Sequence, residues 1–393
     1  MDNAGNAPFL NHYSKLVHQL QIPEQLSAEA SKLRFKGIVG SANALIAAAV
    51  SLSFKTTHVF VLEDKEKAAY FLNDLENILH YQKESHEQSN ILFFPRSARV
   101  AYQHETVDNA NVAMRAEVLN LLRKKPLGQW LVTYPEALAE KVIGLQKLAQ
   151  KTFEMEVGTR LNPEIVDEVL QEYGFHKVDF VYEPGQYAVR GGIIDIFSFS
   201  FDHPYRIELF GDEIESIRKF NPVDQLSMAP MTRATIVPNI QDENQMEGTI
   251  HFLEFVHADS VVWIVDAANA PQIWEKALEK AQSQFDKLAG VIRHKTPEEL
   301  FAHPKDWFHL LKGKRVIEMG ESYHFLEGKL FLFQMTPQPA FNKKFEMLSQ
   351  FLIDQHKKGY EQVVTAGQAK QLERLHQIFE DQKWLVEFTP HLI

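Results

Sequence analysis

Between residues 33 and 150, short apolar runs alternate with longer stretches in which apolar residues recur every three or four positions. RFKGIV precedes SANALIAAAVSL, HVFVL precedes DKEKAAYFLNDLENILHY, ILFFP precedes a segment ending in AMRAEVLNLLRK, and WLVT precedes YPEALAEKVIGLQKLAQ. The short runs have strand length and the amphipathic stretches helix length, an order that predicts a parallel sheet with helices on its faces. Residues 1–150 are therefore expected to form an α/β domain.

Near residue 151 the pattern changes. KTFEMEVGTRL reads as extended, and NPEIVDEVLQEYG as a helix with Asn162 at its N-cap, Pro163 in its first turn and Gly174 just past its end. The runs FHKVDFVYE, GQYAVRGGIIDIF, HPYRIELF and EIESIRKF follow, separated by Pro184-Gly185, Gly191-Gly192 and Gly211-Asp212. Strand-like runs joined by turn dipeptides, with no helix between them, predict an antiparallel sheet. Residues 151–238 thus read as a β-rich α+β domain inserted after the first sheet. Residues 239–340 return to mixed α/β character, with SVVWIVD as a strand and a helix after it. Thr336-Pro337-Gln338-Pro339 reads as a linker. Residues 341–393 then begin another α/β domain: helix KKFEMLSQFLIDQHKKG, strand EQVVTA, helix GQAKQLERLHQIFEDQ and strand WLVEF. An array halting on a strand is expected to be the front of a longer, multidomain protein.

Composition narrows the function. The 393 residues are 45% apolar and 24% charged, with no apolar run near the roughly 18 residues of a membrane span. There are no cysteines, which excludes disulfides, thiolate nucleophiles and Cys-type zinc sites. No basic region followed by an apolar stretch opens the chain, so a cytoplasmic location is expected, without contact with a membrane. The net charge of −11 weighs against autonomous duplex binding, which needs a basic face.

GIVGSANAL, residues 37–45, lies where a strand runs into a helix, as a phosphate-binding loop would. Aligned with Gly-x-x-x-x-Gly-Lys-Ser/Thr, Gly37, Gly40 and Ser41 keep the turn. Ala42 replaces the second glycine, Asn43 the phosphate-binding lysine and Ala44 the magnesium-binding hydroxyl. The accompanying strand, VVWIVD, ends in Asp266 followed by alanine, where an Asp-Glu pair would be expected. Both half-motifs lack the residues that do the chemistry, so the first domain reads as a degenerate P-loop-NTPase-like fold without catalytic residues or a bound cofactor. The histidines form no His-Glu-x-x-His motif and no metal site is expected.

The most specific text is YEPGQYAVRGGIIDIF, residues 182–197, followed by RIELFGDEIESIRKF. Together these runs resemble domain 2 of the excision-repair protein UvrB, and more closely the matching domain of the bacterial transcription-repair coupling factor family, Mfd. The resemblance extends over most of the chain, with residues 1–150 similar to UvrB domain 1a, 239–340 to domain 1b, and 341 onward to the next Mfd domain. It implies a non-catalytic module that recruits UvrA to a stalled RNA polymerase in transcription-coupled nucleotide excision repair. It also implies that polymerase and DNA are engaged by downstream domains, that ATP and magnesium belong to a downstream translocase motor, and that a C-terminal domain masks the UvrA-binding face.

Carried over, Arg190 falls on a family arginine, Lys177 near another basic position, and Phe197 on the aromatic, with Tyr187 on the same run. UvrB has an arginine where this chain has Ala188. Read from the residues alone, Arg190 is also placed to pair with Asp195 or Glu208, and Phe197 to join a core. After ILFFP, UvrB carries a tyrosine-rich hairpin that enters DNA; RSARVAYQHETVDNANVAMRAEVL is shorter and poor in the aromatic rings that base stacking needs. The rival reading is an active UvrB-type ATPase or helicase core.

Overall fold

The computed structural model describes residues 8–80, 90–97, 109–199, 203–238, 248–287, 295–360, 362, 364, 366 and 368–381. The chain divides into two compact units, Met1–Met335 and Thr336–Ile393. The first is built on a seven-stranded sheet whose order across is Lys329–Leu332, Lys32–Lys36, Arg315–Met319, Val261–Val265, His58–Val61, Trp130–Thr133 and Ile91–Phe93. Every pairing in it is parallel. The alternation read from the sequence is therefore present as an α/β sheet, and residues 1–150 and 239–340 both contribute to it. His58–Val61 pairs with Val261–Val265, and Lys32–Lys36 lies between Arg315–Met319 and Lys329–Leu332. His58–Val61 and Trp130–Thr133 are buried along their whole length, as strands covered on both faces must be.

Among the polar groups buried in this core, His58 bridges two strands. His58 is fully buried, and its Nδ1 accepts a 3.0 Å bond from Trp263 Nε1 on the neighbouring strand. Its Nε2 lies 2.8 Å from the Phe54 carbonyl, which fixes the proton on Nε2 and leaves the ring neutral. Burial pushes this imidazole down to about 4.

The inserted region folds as predicted in class. Its helix, Pro163–Glu172, is capped by Asn162 Oδ1, which accepts from Glu164 N at 2.9 Å. Six strands follow in the spatial order Ser227–Met231, Glu213–Phe220, Tyr205–Phe210, Ile193–Ile196, Gln186–Arg190 and His176–Lys177. All neighbours are antiparallel except the last pair. Phe153–Glu156 and Arg233–Ile236 pair with each other where the chain enters and leaves, closing the insert at its base.

Two stretches differ from the sequence reading. YPEALAEKVIGLQKLAQ, read as one amphipathic helix, is broken into the helices Pro135–Leu138 and Leu145–Lys151 by the strand Val142–Ile143, which pairs with Thr249–Ile250. Of FHKVDFVYE, only His176–Lys177 is strand. Side chains hold the rest as a loop: Gln186 Oε1 accepts from Tyr182 N and Glu183 N at 2.9 and 3.1 Å, and Arg190 donates to the Asp179 carbonyl. A backbone bonded to side chains in this way has no ladder to join.

The second unit contains the helices Phe345–Lys357 and Ala369–Asp381. The expected strand WLVEF, residues 361, 363 and 365 of EQVVTA, and residues 98–108 of the segment after ILFFP lie outside the described residues. Among the described residues no helix is long and apolar enough to cross a membrane.

His58 gives the first unit a defined acid sensitivity. Its folded pKa lies below the ordinary value of about 6.5, so the unfolded chain binds the extra proton first, and stability falls as pH drops from about 6.5 towards about 4. The shift corresponds to about 3 kcal/mol. Denaturant titrations at stepped pH are expected to show a steeper loss over this window for the natural chain than for His58→Gln.

Candidate functional site

Strand alternation divides the inserted sheet into two unlike faces. Tyr187, Ile194, Ile196, Tyr205, Ile207 and Ile217 point inward and join the main hydrophobic core. The opposite face carries charge. Across the strands, Ala188, Asp195, Arg206, Arg218 and Pro230 stand in register, and beside them run Arg190, Ile193, Glu208 and Ser216. At one end of this outer face a small second cluster forms from Val181, Ala188, Phe197 and Phe220.

Asp195 is the organising group. Its side chain is fully buried, and a buried carboxylate without partners costs several kcal/mol. Two arginines compensate it. Arg206 engages it bidentately, Nε to Oδ1 at 2.8 Å and Nη2 to Oδ2 at 2.9 Å, while Arg190 Nη2 bonds Oδ2 from the adjacent strand. Each guanidinium then reaches one further carbonyl. Arg190 Nη1 donates to Asp179 O at 2.8 Å and Arg206 Nη1 to Gln225 O at 3.1 Å. The two acceptors belong to different loops, residues 178–185 and 221–226, and Gln225 Nε2 ties the loops together by donating to Val181 O at 3.1 Å. Stacking completes the arrangement: Arg190 lies over Phe180 at 5.1 Å and Arg206 over Phe220 at 4.4 Å.

These loops expose apolar side chains alongside the carboxylates of Asp179, Glu183 and Asp224. Phe180 and Tyr182 stand out from the first loop, and Val223 and Leu226 from the second. Side-chain oxygens hold the second loop in shape, since Asn221 Oδ1 accepts from Val223 N and Asp224 Oδ1 from Leu226 N, each at 2.9 Å. The result is a rigid rim of exposed aliphatic and aromatic groups beside a row of arginines. Arg218 continues the row, paired with Glu208 at 2.8 Å. Of the two carboxylates open to Arg190 in the sequence, Asp195 is the partner it takes.

The four residues singled out from sequence occupy three environments. Arg190 lies on the outer face with 37% of its side chain exposed. Lys177 is exposed at the sheet edge and bonds Asp167 at 2.7 Å, which raises the lysine pKa and, together with the Tyr187 hydroxyl, lowers that of Asp167. Tyr187 is buried on the inner face, its hydroxyl donating to Asp167 Oδ1 at 2.9 Å and so pinning the helix Pro163–Glu172 to the sheet. Phe197 packs in the small outer cluster and exposes only 5% of its surface, so it supports the face from beneath. Phe180, Tyr182, Val223 and Leu226 were not singled out from sequence. The available signal was apolar residues at the tips of turns, where polar ones are usual.

The GIVGSANAL turn lies on the parallel sheet. Gly37 and Gly40 adopt φ of +79° and +60°, and a Cβ at Gly37 would stand 2.1 Å from the Phe333 carbonyl. The strand beside it continues along the turn, with Phe333 N donating to Lys36 O and Met335 N to Gly37 O. The amides of Asn43 and Ala44 bond Gly40 O and Ser41 O within the turn. The helix Ala42–Ser53 begins with no side-chain cap from Ser41. Asp266 ends its strand in a left-handed conformation, and its carboxylate bonds Glu321 N and Ser322 Oγ.

Residues 153–241 match the family model of the UvrB interaction domain. The chain is 27% identical over 204 residues to the transcription-repair-coupling factor of Bacillus subtilis, a match covering 51% of this chain and 16% of that protein. It is 29% identical over 218 residues to the same factor of Myxococcus xanthus, covering 56% of the chain and 18% of the relative. Over 68 residues it reaches 44% identity to the factor of Mycobacterium bovis, covering 17% of the chain and 6% of the relative. These matches span less than a fifth of the length of each relative. The charged outer face and its apolar rim thus lie within the segment that matches the UvrB interaction domain, in a chain similar over about half its length to transcription-repair-coupling factors.

Proposed function

We propose that the outer face of the inserted sheet recruits UvrA during transcription-coupled nucleotide excision repair. The observation that supports this reading most is the pairing of a fixed arginine row with exposed Phe180, Tyr182, Val223 and Leu226, all inside the segment matching the UvrB interaction domain. Arginines and aromatic residues are enriched among interface hot spots, and a surface already ordered before binding loses little entropy on docking. Arg190 contributes its exposed guanidinium edge to the partner while Asp195 holds the rest. Lys177 extends the basic surface at the sheet edge.

On this reading the chain itself is not an enzyme. The GIVGSANAL turn is the relic of a nucleotide site: Asn43 brings no charge to a phosphate, Ala44 no hydroxyl to a metal, and the amides of Asn43 and Ala44 are engaged within the turn. RNA polymerase and DNA are reached through domains beyond these residues in a cytoplasmic protein, where ATP and magnesium serve a separate motor and a C-terminal domain covers the UvrA-binding face until activation.

Two measurements check this reading. Calorimetry of the chain with its cognate UvrA is expected to show binding that Arg190→Ala weakens by about 2 kcal/mol or more, about thirtyfold, with an unchanged circular dichroism spectrum because Arg206 still compensates Asp195. No binding by the folded natural chain contradicts the proposal. Titration of a fluorescent ATP analogue in magnesium is expected to show no saturable binding in the micromolar range; saturable binding there favours the ATPase reading.

A further inference from the structure

Away from the inserted sheet, a groove of about 300 Å³ runs along the helix Ala270–Phe285. Its floor is the stripe Ile273, Ala277 and Ala281, successive fourth positions of the helix, and Phe301 closes one side. The walls are fixed. Trp274 is buried and donates from Nε1 to Pro135 O at 2.9 Å, joining this helix to the segment that carries Glu136. On the other side, Ala302 N bonds Ala139 O at 2.7 Å. The groove is therefore a built feature and not a gap between loosely placed elements.

Its charge runs against that of the chain. The protein carries −11, yet Lys276, Lys280 and Arg96 border the groove against the carboxylate of Glu136, with Arg96 already paired to the buried Glu140 at 3.5 Å. Lys276 and Lys280 are exposed, and no carboxylate pairs with either among the described residues. One Glu136 carboxylate oxygen, Oε2, is buried and has no hydrogen-bond partner. Small residues at Ala277 and Ala281 allow another helix to approach closely, and lysines four residues apart stand about 6 Å from each other, the spacing of carboxylates one turn apart on a facing helix.

We infer that this groove binds an acidic amphipathic helix of a partner protein. An aliphatic side chain of that helix seats against Ala277 between Ile273 and Phe301, and flanking carboxylates meet Lys276 and Lys280. A single nucleic-acid strand fits less well, because the floor is aliphatic where base stacking needs rings. This site is separate from the proposed UvrA-binding face, so the two readings stand or fall independently.

The probe is a lactam-bridged helical peptide of about 14 residues, with one leucine flanked by glutamates four positions apart, titrated by fluorescence anisotropy against the full chain. Saturable binding is expected, at least about tenfold weaker to the Lys276→Glu/Lys280→Glu double variant and to Ala277→Trp, and lost when lysines replace the peptide glutamates. The lysine variants alter exposed side chains, and their thermal melts are expected to match the natural chain. No binding, equal binding of both peptides, or binding indifferent to the variants overturns the inference. So does an oligothymidylate that binds the natural chain but not the double variant.

Discussion

Asp195 is a fully buried carboxylate on the outer face of the inserted sheet, and the structure around it is arranged to make that charge tolerable. Arg206 grips it from one neighbouring strand and Arg190 from the other, so both guanidiniums are oriented before any partner arrives. Because each arginine also holds a carbonyl of a different loop, the same carboxylate fixes the backbone that displays Phe180 and Tyr182 and the backbone that displays Val223 and Leu226. Losing one partner of such a buried pair typically costs about 3 to 5 kcal/mol. Having two partners spreads the risk and gives the face its rigidity.

The rest of the first unit acts as a platform. Its parallel sheet is covered on both faces, and the extended chain after Lys329–Leu332 packs so closely against Gly37 that a side chain there would collide with backbone. Gly37 is thus required by packing and Gly40 is favoured by its positive φ, which gives a physical reason for the turn to persist whether or not a phosphate was ever held there. His58 and Trp263 link two central strands by a hydrogen bond inside the same core. The insert is tied to this platform at its base by the antiparallel pair Phe153–Glu156 and Arg233–Ile236.

Much of this architecture was legible in the sequence. Alternating runs of strand and helix length identified the parallel sheet, and turn dipeptides identified the antiparallel one, because both signals are local. Pairing order is not local. Nothing in the residues near 261 or 315 says that their strands lie between Lys32–Lys36 and His58–Val61, and contacts over more than 200 residues decide it. The loop at Asp179–Glu183 reads as strand because Phe180, Val181 and Tyr182 are aromatic and β-branched, while the side chains that capture its backbone, Gln186 and Arg190, come later in the chain. Arg190 is legible from a motif, but the sequence leaves Asp195 and Glu208 both open as its partner, and only the folded sheet selects Asp195. The rim residues were missed because exposure of an apolar side chain in a turn depends on what the fold leaves uncovered.

Asp195 governs both loops of the outer face through Arg190 and Arg206. Hydrogen exchange followed by mass spectrometry on Asp195→Asn tests this directly, since the amide keeps the volume of the side chain and removes its charge. Residues 178–185 and 221–226 are expected to lose protection together, while the strands of the parallel sheet exchange as in the natural chain. Unchanged protection of both loops, or loosening of only one, would contradict the claim that a single carboxylate organises the face.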